Sequence, residues 1–207
     1  MSRLTIAVGS LVSVLCVAPI ASPTAQIRPH FGVGGGVTLP TGNYHNRDSL
    51  GVGFNNGWQA MALVDFALPR SPIGIRVDGT YSVNSTNTSN TVPNRAQTRL
   101  LGGSLDLTYV LQTSTPVKPY VLTGAGLYHV RAFTPGGGSG SDTSATKLSW
   151  NAGGGVRYGV RGASLFLEAR YSSMARWLNA YATEGFYQPG VRVRQVGVIA
   201  GVRLGGE

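Results

Sequence analysis

Apolar and polar residues alternate at every second position along most of this 207-residue sequence. In residues 73–83, for example, Ile73, Ile75 and Val77 alternate with Arg76 and Asp78. A period of two is typical of a β-strand whose two faces meet different surroundings, whereas an amphipathic helix shows a period near 3.6. No stretch after residue 29 sustains the helical period, so the sequence predicts an all-β fold.

Eight segments carry this alternation. They are residues 30–39, 58–66, 73–83, 99–111, 120–131, 147–161, 164–175 and 191–204. Each has roughly the 9–11 residues that a tilted strand needs to cross the hydrocarbon core of a bilayer. We therefore expect eight strands, each with one apolar face.

The connections between these segments alternate in length. Residues 69–72, 114–119 and 161–163 form short turns, whereas residues 40–57, 84–97, 134–146 and 176–190 are long and rich in Gly, Ser, Asn and Thr. Successive connections of an antiparallel meander lie at opposite ends, so the short turns share one rim and the long loops the other. This pattern predicts an eight-stranded antiparallel up-and-down transmembrane β-barrel, in which closure removes the unpaired edges that lipid cannot solvate.

A soluble lipocalin-like barrel or a β-sandwich is the alternative, in which the apolar face would point inward. We favour the membrane barrel, because the polar face mixes Arg with Asp and Glu and aromatic residues lie near segment ends. The apolar-face aromatics are expected to form interfacial girdles: Trp58, Tyr81, Tyr109, Tyr120, Trp150 and Tyr158. The runs of three glycines at residues 34–36 and 153–155 suit strong curvature and close packing in a small barrel.

The first 25 residues have the features of a secretory signal peptide. A short basic start containing Arg3 precedes an apolar run and a small-residue exit that ends at Ala25. We expect residues 1–25 to be the signal peptide and residues 26–207 the barrel domain. Cys16, the only cysteine, lies in the leader, so the expected mature chain has no disulfide and no thiol chemistry.

Composition limits the environment of the folded chain. Charged residues make up 12% of the sequence, about half the share usual in soluble domains. Lys and Arg number 17 against 8 Asp and Glu, which gives a formal charge of +9. That excess is compatible with nucleic acid or with anionic lipid, and composition alone does not choose between them.

The leader, the eight alternating segments and the apolar ending at residues 197–204 resemble the outer membrane β-barrel domain family, the group of small barrels similar to OmpA and OmpX. The resemblance covers residues 30–204 and is one of pattern, because this family has no invariant catalytic motif. It implies a protein of the bacterial outer membrane with lipid as its surroundings and no nucleic-acid partner. We expect a non-enzymatic structural or surface-binding role through the long loops, whose partner the sequence does not identify.

Charged residues on the polar face are expected to line the barrel interior. An eight-stranded barrel is just wide enough for side chains, so such charges must pair. The predicted lumen network consists of Asp65, Asp78, Asp106, Glu168, Arg76, Arg99, Arg157, Arg170 and Arg203. We interpret it as a structural plug of ion pairs, with a proton or ion path as the alternative.

Other chemistry has weaker support in the sequence. The three histidines, His30, His45 and His129, are too scattered to predict a metal site, and no glycine run has the features of a phosphate-binding loop. A lipid-modifying enzyme would need a rim site such as His129 with Ser141 or Ser144 and Asp142, and a passive pore would need an open lumen. We expect no catalytic residue, cofactor or metal. A set of arginines near the ends of strands could meet lipopolysaccharide phosphates or simply pair with acidic residues: Arg192, Arg194, Arg203, Arg95 and Arg99.

Overall fold

The computed structural model describes residues 29–45, 54–86, 97–133, 143–175 and 192–205. The predicted signal peptide lies outside these ranges, as do residues 46–53, 87–96, 134–142 and 176–191 of the predicted long loops. Within the described ranges, no helix is long and apolar enough to span a membrane.

Eight β-strands account for nearly all of the described chain, and the predicted segments agree with them to within a few residues. The strands are β1 (Pro29–Pro40), β2 (Gly57–Ala67), β3 (Ile73–Ser85), β4 (Gln97–Val110), β5 (Val117–Phe133), β6 (Thr143–Val160), β7 (Ala163–Met174) and β8 (Arg194–Leu204). A short 3-10 helix, Gly42–Tyr44, follows β1.

The strands form a closed barrel in which each pairs antiparallel with its neighbours in sequence and β8 pairs back to β1. In this closing pair, Phe31 lies opposite Leu204 and Pro40 opposite Gln195. The short connections β2–β3, β4–β5 and β6–β7 all lie at one end, which we call the short-turn end. The strand ends that the longer connections join lie at the opposite end, which we call the long-loop end. The predicted eight-stranded antiparallel barrel is confirmed.

The outer face of the barrel is an apolar band. Alternate residues of every strand project outward, and large aliphatic side chains such as Leu105, Leu127 and Leu148 are about three-fifths exposed. Near the long-loop end, Trp58 contacts Tyr81 at a ring separation of 5.5 Å. Tyr109 and Tyr158 are exposed toward the short-turn end. Exposed aromatic residues therefore occur toward both ends of the band, as they do in interfacial girdles.

Tyr120 lies inside the barrel, so the prediction that it belongs to an outer girdle is wrong. Its side chain is 2% exposed and points into the barrel. Tyr120 has the parity of Leu122, which is also buried, so it lies on the inner face of β5. Gly155 leaves the space that the Tyr120 ring occupies. A Cβ on Gly155 would lie 2.8 Å from the Tyr120 hydroxyl, which is too close.

Candidate functional site

The barrel interior holds a continuous network of buried charges, and Asp65 is its centre at the short-turn side. Arg76 donates from Nε to Asp65 Oδ1 at 2.7 Å. Arg157 and Arg203 each donate to Asp65 Oδ2, at 3.1 and 3.2 Å. Ser164 supports this arrangement by accepting a 3.2 Å hydrogen bond from Arg203 Nε. One carboxylate thus accepts hydrogen bonds from three guanidinium groups.

A second centre, around Arg170, lies one layer farther toward the long-loop end. Arg170 Nη1 is 2.7 Å from Asp78 Oδ2 and 3.2 Å from Asp106 Oδ2, and its Nε donates to Glu168 Oε1 at 3.0 Å. The Ser104 hydroxyl lies 3.0 Å from Asp78 Oδ1 and 3.2 Å from Asp106 Oδ2. Here one guanidinium group pairs with three carboxylates, whereas at Asp65 one carboxylate pairs with three guanidinium groups.

Arg76 and Tyr120 connect the two centres. Arg76 Nη1 donates to Glu168 Oε2 at 2.5 Å, and the Tyr120 hydroxyl donates to the same oxygen at 2.7 Å. The guanidinium of Arg157 lies over the Tyr120 ring at 4.4 Å from its centroid. Charge-assisted hydrogen bonds of this kind are stronger than neutral ones and fix side-chain geometry. The interior is therefore held together across strands that are far apart in sequence.

The structure brings eight of the nine predicted lumen residues together, four arginines and four acids, so their formal charges balance. Arg99 is the exception, because the prediction that it lines the lumen is wrong. Its side chain is exposed on the outer face, with its guanidinium 4.4 Å from the centroid of the Phe133 ring. Arg99 shares the parity of Leu101, so the alternation itself places it outside.

An apolar cluster occupies the interior near the long-loop end. Its buried members are Tyr44, Leu100, Tyr128, Val130, Met174 and Val193, and Phe54 packs against them. The rings of Tyr44 and Phe54 stack with centroids 4.7 Å apart. Burial raises the pKa of Tyr44 well above its usual value, and the Thr98 side chain opposes this shift in part. The cluster, which we call the apolar plug, is not anticipated from the sequence, because Tyr44 and Phe54 come from a segment predicted as a loop.

A smaller apolar cluster lies on the inner face of β2, β7 and β8. It consists of Met61, Leu63, Phe166 and Ile199. The alternation predicts the inward direction of Met61 and Leu63, since both share the parity of Asp65. Leu63 lies directly opposite Asp78, and Phe166 directly opposite Arg157, so this cluster fills the interior beside the charge network.

A cavity opens at the short-turn end, below Asp65. Its volume is about 330 Å³, and we call it the vestibule. The β2–β3 turn forms one wall through Leu68 and Pro69. The charged and titratable residues that line it are His30, Asp65, Lys118, Arg157 and Arg203.

The opposite rim carries a basic group on the outer face, at the ends of β4 and β5. Arg99 lies directly across from Arg131, and both guanidinium groups lie over the Phe133 ring, at 4.4 and 5.4 Å from its centroid. His129, one outward position farther into the band, has Nδ1 3.3 Å from the Thr146 hydroxyl. We call Arg99, Arg131 and His129 the basic rim.

The remaining arginines proposed to meet lipopolysaccharide fall in different places. Arg203 is buried in the interior near the short-turn end, so it does not reach the long-loop rim. Arg192 and Arg194 are half-buried at the start of β8, and Arg95 lies outside the described residues. Of these candidates, Arg99 is the one the structure places in the basic rim.

The suggested enzyme site is described only in part, because Ser141 and Asp142 lie outside the described residues. His129 contacts Thr146, and Ser144 lies opposite Arg131 on the neighbouring strand. His45 Nδ1 is 3.3 Å from the Phe54 carbonyl oxygen, and His30 lines the vestibule at the other end of the barrel. In the part of the chain that the structure describes, no three His, Cys, Asp or Glu side chains are grouped as a metal site.

Comparisons with known proteins agree with this architecture. The sequence model of the outer membrane protein beta-barrel domain matches residues 9–203. A search of curated proteins gave no significant match. Among solved structures, the chain is similar to Neisserial surface protein A (TM-score 0.57, 17% identity, covering 86% of this chain and 96% of that one). It is also similar to a major outer membrane protein of Thermus thermophilus (TM-score 0.50, 13% identity, covering 85% and 98%). At these identities the two structures support the fold alone.

Proposed function

Because the chain belongs to the outer membrane protein beta-barrel domain family, we propose that it is a non-enzymatic envelope protein whose closed barrel anchors a lipopolysaccharide-binding rim. Bacterial outer-membrane barrels place their short turns in the periplasm and their long loops outside the cell. The short-turn end is therefore periplasmic, and the apolar plug and basic rim are at the extracellular end.

The filled interior is the observation that carries the anchor proposal. Arg76, Asp106 and Glu168 are at most 1% exposed at the level of the charge network, and Leu100 and Val130 are equally buried in the apolar plug. A passive pore needs a continuous water-filled path, which small barrels filled by side chains do not offer. Balanced charges held by hydrogen bonds also favour a structural network over an ion path.

Conductance across a planar lipid bilayer tests the closed anchor. We expect the purified, refolded barrel to produce no current steps above those of the bare bilayer at moderate voltage. A larger porin inserted under the same conditions serves as the positive control. Reproducible steps that grow with salt concentration would instead establish a pore and overturn the anchor proposal.

The basic rim supports the proposed contact with lipopolysaccharide. Arg99 and Arg131 project from the outer face just beyond the apolar band, where outer-leaflet phosphates lie. Guanidinium groups bind phosphate oxygens through charge-assisted hydrogen bonds, so two neighbouring arginines at this position suit a phosphate-bearing lipid. The shared contact with Phe133 holds both guanidinium planes near one ring.

Binding of purified lipopolysaccharide to the barrel in detergent tests the rim. We expect the double variant Arg99→Gln, Arg131→Gln to bind about a hundredfold more weakly, since it loses two charge-assisted hydrogen bonds, each worth about tenfold in affinity. Arg161→Gln is the matched control, because Arg161 is an exposed arginine at the periplasmic end. Equal affinity of the double variant and the parent chain would contradict the proposal.

The non-enzymatic part of the proposal has its own test. Incubation of the barrel with phospholipid and lipopolysaccharide should leave both lipids unchanged when they are examined by mass spectrometry. Hydrolysis or acyl transfer that disappears in His129→Ala would show a lipid-modifying enzyme instead.

Export through a cleaved leader is also part of this proposal. The apolar run and small-residue exit of residues 1–25 support it. The intact mass of the protein recovered from outer membranes checks it, because cleavage after Ala25 predicts a chain that begins at Gln26. Recovery of the uncleaved chain from that fraction would contradict cleavage.

A further inference from the structure

The acids of the charge network are unevenly divided between its two centres. The four arginines and four acids balance as a whole, but three carboxylates surround Arg170. One of them, Glu168, also pairs with Arg76. In the described part of the chain, Arg170 is the one cation that pairs with Asp78 and Asp106. We propose that Asp78 and Asp106 share one bound proton, which makes the interior of the barrel sensitive to pH.

Hydrogen-bond donors around the two carboxyl groups carry the first argument. Ser104 Oγ lies 3.0 Å from Asp78 Oδ1 and 3.2 Å from Asp106 Oδ2. A serine hydroxyl has one hydrogen, so it donates to only one of these oxygens at a time, and two ionised carboxylates can only accept. With a proton on one carboxyl group, that group donates to Ser104 while Ser104 donates to the other. A single added proton therefore gives both contacts a donor.

The surroundings of Asp106 give an independent reason to expect a proton. Asp106 is 1% exposed, and its Oδ1 has no hydrogen-bond partner among the described residues. A Cβ on Gly124 would collide with Oδ1, so this oxygen lies against the backbone of β5. Gly124 lies directly opposite both Asp106 and Asn151, whose buried amide is likewise unpartnered among these residues. Such an amide accepts from a carboxylic acid and donates to a carboxylate, whereas a buried carboxylate oxygen without a donor is costly.

Charged and titratable side chains of the surrounding strands face the same part of the interior. They are Asp65 on β2, Arg76 on β3, Tyr120 and Tyr128 on β5, Lys147 and Arg157 on β6, and Glu168 and Arg170 on β7. Arg76 and Arg157 pair with Asp65 at the other centre, and Lys147 lies farther toward the long-loop end. Loss of the shared proton therefore leaves two adjacent negative charges beside one guanidinium group, and the two carboxylates repel each other.

A shared proton makes the stability of the barrel depend on pH. In the unfolded chain both aspartates are ionised near neutral pH, whereas the folded pair keeps one proton. The folded state then binds one proton more than the unfolded state, so the free energy of unfolding falls as the pH rises. This dependence ends above the pH at which the pair releases its proton, because both states are then fully ionised. The pair therefore favours the closed barrel in mildly acidic surroundings.

NMR of the aspartate carboxyl carbons tests the proton directly. The full barrel, isotope-labelled at aspartate and refolded in octyl glucoside micelles, is titrated from about pH 5 to about pH 9. We expect the Asp78 and Asp106 signals to move together through one shared step, because strongly interacting carboxyl groups titrate as a pair. Asp65, which accepts from three guanidinium groups, should keep the signal of an ionised carboxylate throughout. Signals of Asp78 and Asp106 that are already those of ionised carboxylates at the lowest pH would overturn the proposal.

Urea unfolding in lipid vesicles at several pH values then tests the effect on stability. Across the shared step, the unfolding equilibrium constant of the parent chain should rise by up to about tenfold per pH unit, the slope for one proton. Asp106→Asn replaces a carboxyl group with a neutral group of the same shape and should lose this dependence. Asp65→Asn is the matched control, because it removes a buried carboxyl group of the other centre and leaves the pair intact. It should lower stability but keep the parent's slope. Equal slopes for the parent and Asp106→Asn would contradict the shared proton.

Discussion

Arg76 on β3 donates to Glu168 on β7 at 2.5 Å across the barrel interior, although 92 residues separate them in the sequence. The two strands are not neighbours in the barrel wall, so this contact joins opposite sides through the lumen. It links the Asp65 centre to the Arg170 centre. Loss of either residue therefore affects both halves of the network.

Removing Arg76 should destabilise the barrel strongly. Arg76→Met leaves Asp65 and Glu168 without a shared guanidinium in a buried environment, and breaking a buried pair in this way costs about 3–5 kcal/mol. Urea unfolding of the barrel refolded in lipid vesicles measures the loss. Arg161→Met, at an exposed turn position, should change the free energy of unfolding by less than about 0.5 kcal/mol. Similar values for the two variants would contradict the role assigned to Arg76.

Two adjacent leucines allow the apolar plug to be compared with the lipid-facing band. Leu100 is 1% exposed inside the barrel, and Leu101 is 60% exposed on its outer face. Leu100→Ala should cost about 2–5 kcal/mol, because it leaves a cavity in a packed cluster. Leu101→Ala should cost clearly less, since lipid chains can fill the vacated space. Equal losses of unfolding free energy in vesicles would show that the plug is not tightly packed.

The depth of the apolar band can be measured with a substituted charge. Leu105 lies outward near the middle of β4, whereas Val117 lies outward at the start of β5, at the short-turn end. Leu105→Arg should destabilise the barrel by about 2–4 kcal/mol in vesicles, and Val117→Arg by about 0–1 kcal/mol, because the cost of a lipid-facing charge falls toward the interface. A larger cost at Val117 than at Leu105 would place the membrane elsewhere along the barrel.

The space around Tyr120 depends on Gly155. A Cβ at this position would lie 2.8 Å from the Tyr120 hydroxyl and would also approach the backbone oxygen of Leu167. We expect Gly155→Ala to cost about 1–3 kcal/mol through overpacking. Gly79→Ala is the control, because its Cβ would meet only the Gly102 oxygen at 3.8 Å. The measurement is gel mobility after heating, since a folded barrel migrates faster than its unfolded chain. We expect Gly155→Ala to lose the fast-migrating form at a lower temperature than Gly79→Ala.

The fold could be predicted because two independent periodicities agree. Alternation along each strand identifies the outward and inward faces, and the alternating connection lengths identify the two rims. The inward direction of Asp65, Arg76 and Glu168 follows from the same rule, since a strand repeats its orientation every two residues. Neither rule specifies which inward residues meet, because partners such as Arg76 and Glu168 are set by closure of the whole barrel.

The wrong predictions for Arg99 and Tyr120 have an identifiable physical cause. The charge of Arg99 suggests an inward position, although its parity with Leu101 indicates the outer face. The aromatic character of Tyr120 suggests an outer girdle, although its parity with Leu122 indicates the interior. In both cases position along the strand, and not chemical type, decides the face. The contribution of Tyr44 to the apolar plug could not be predicted, because no period governs a residue outside a strand.

Pairing between β1 and β8 makes folding of the barrel depend on the last strand of the chain. The backbone groups along one edge of β1 have no strand partner until β8, the last strand, has been synthesised and has reached the membrane. Contacts so distant in sequence are slow to form, because a long loop must close before they contribute any stability. A chain that ends before residue 194 would leave β1 and β7 with exposed edges, and such edges favour aggregation. Closure of the barrel therefore requires the C-terminal strand β8.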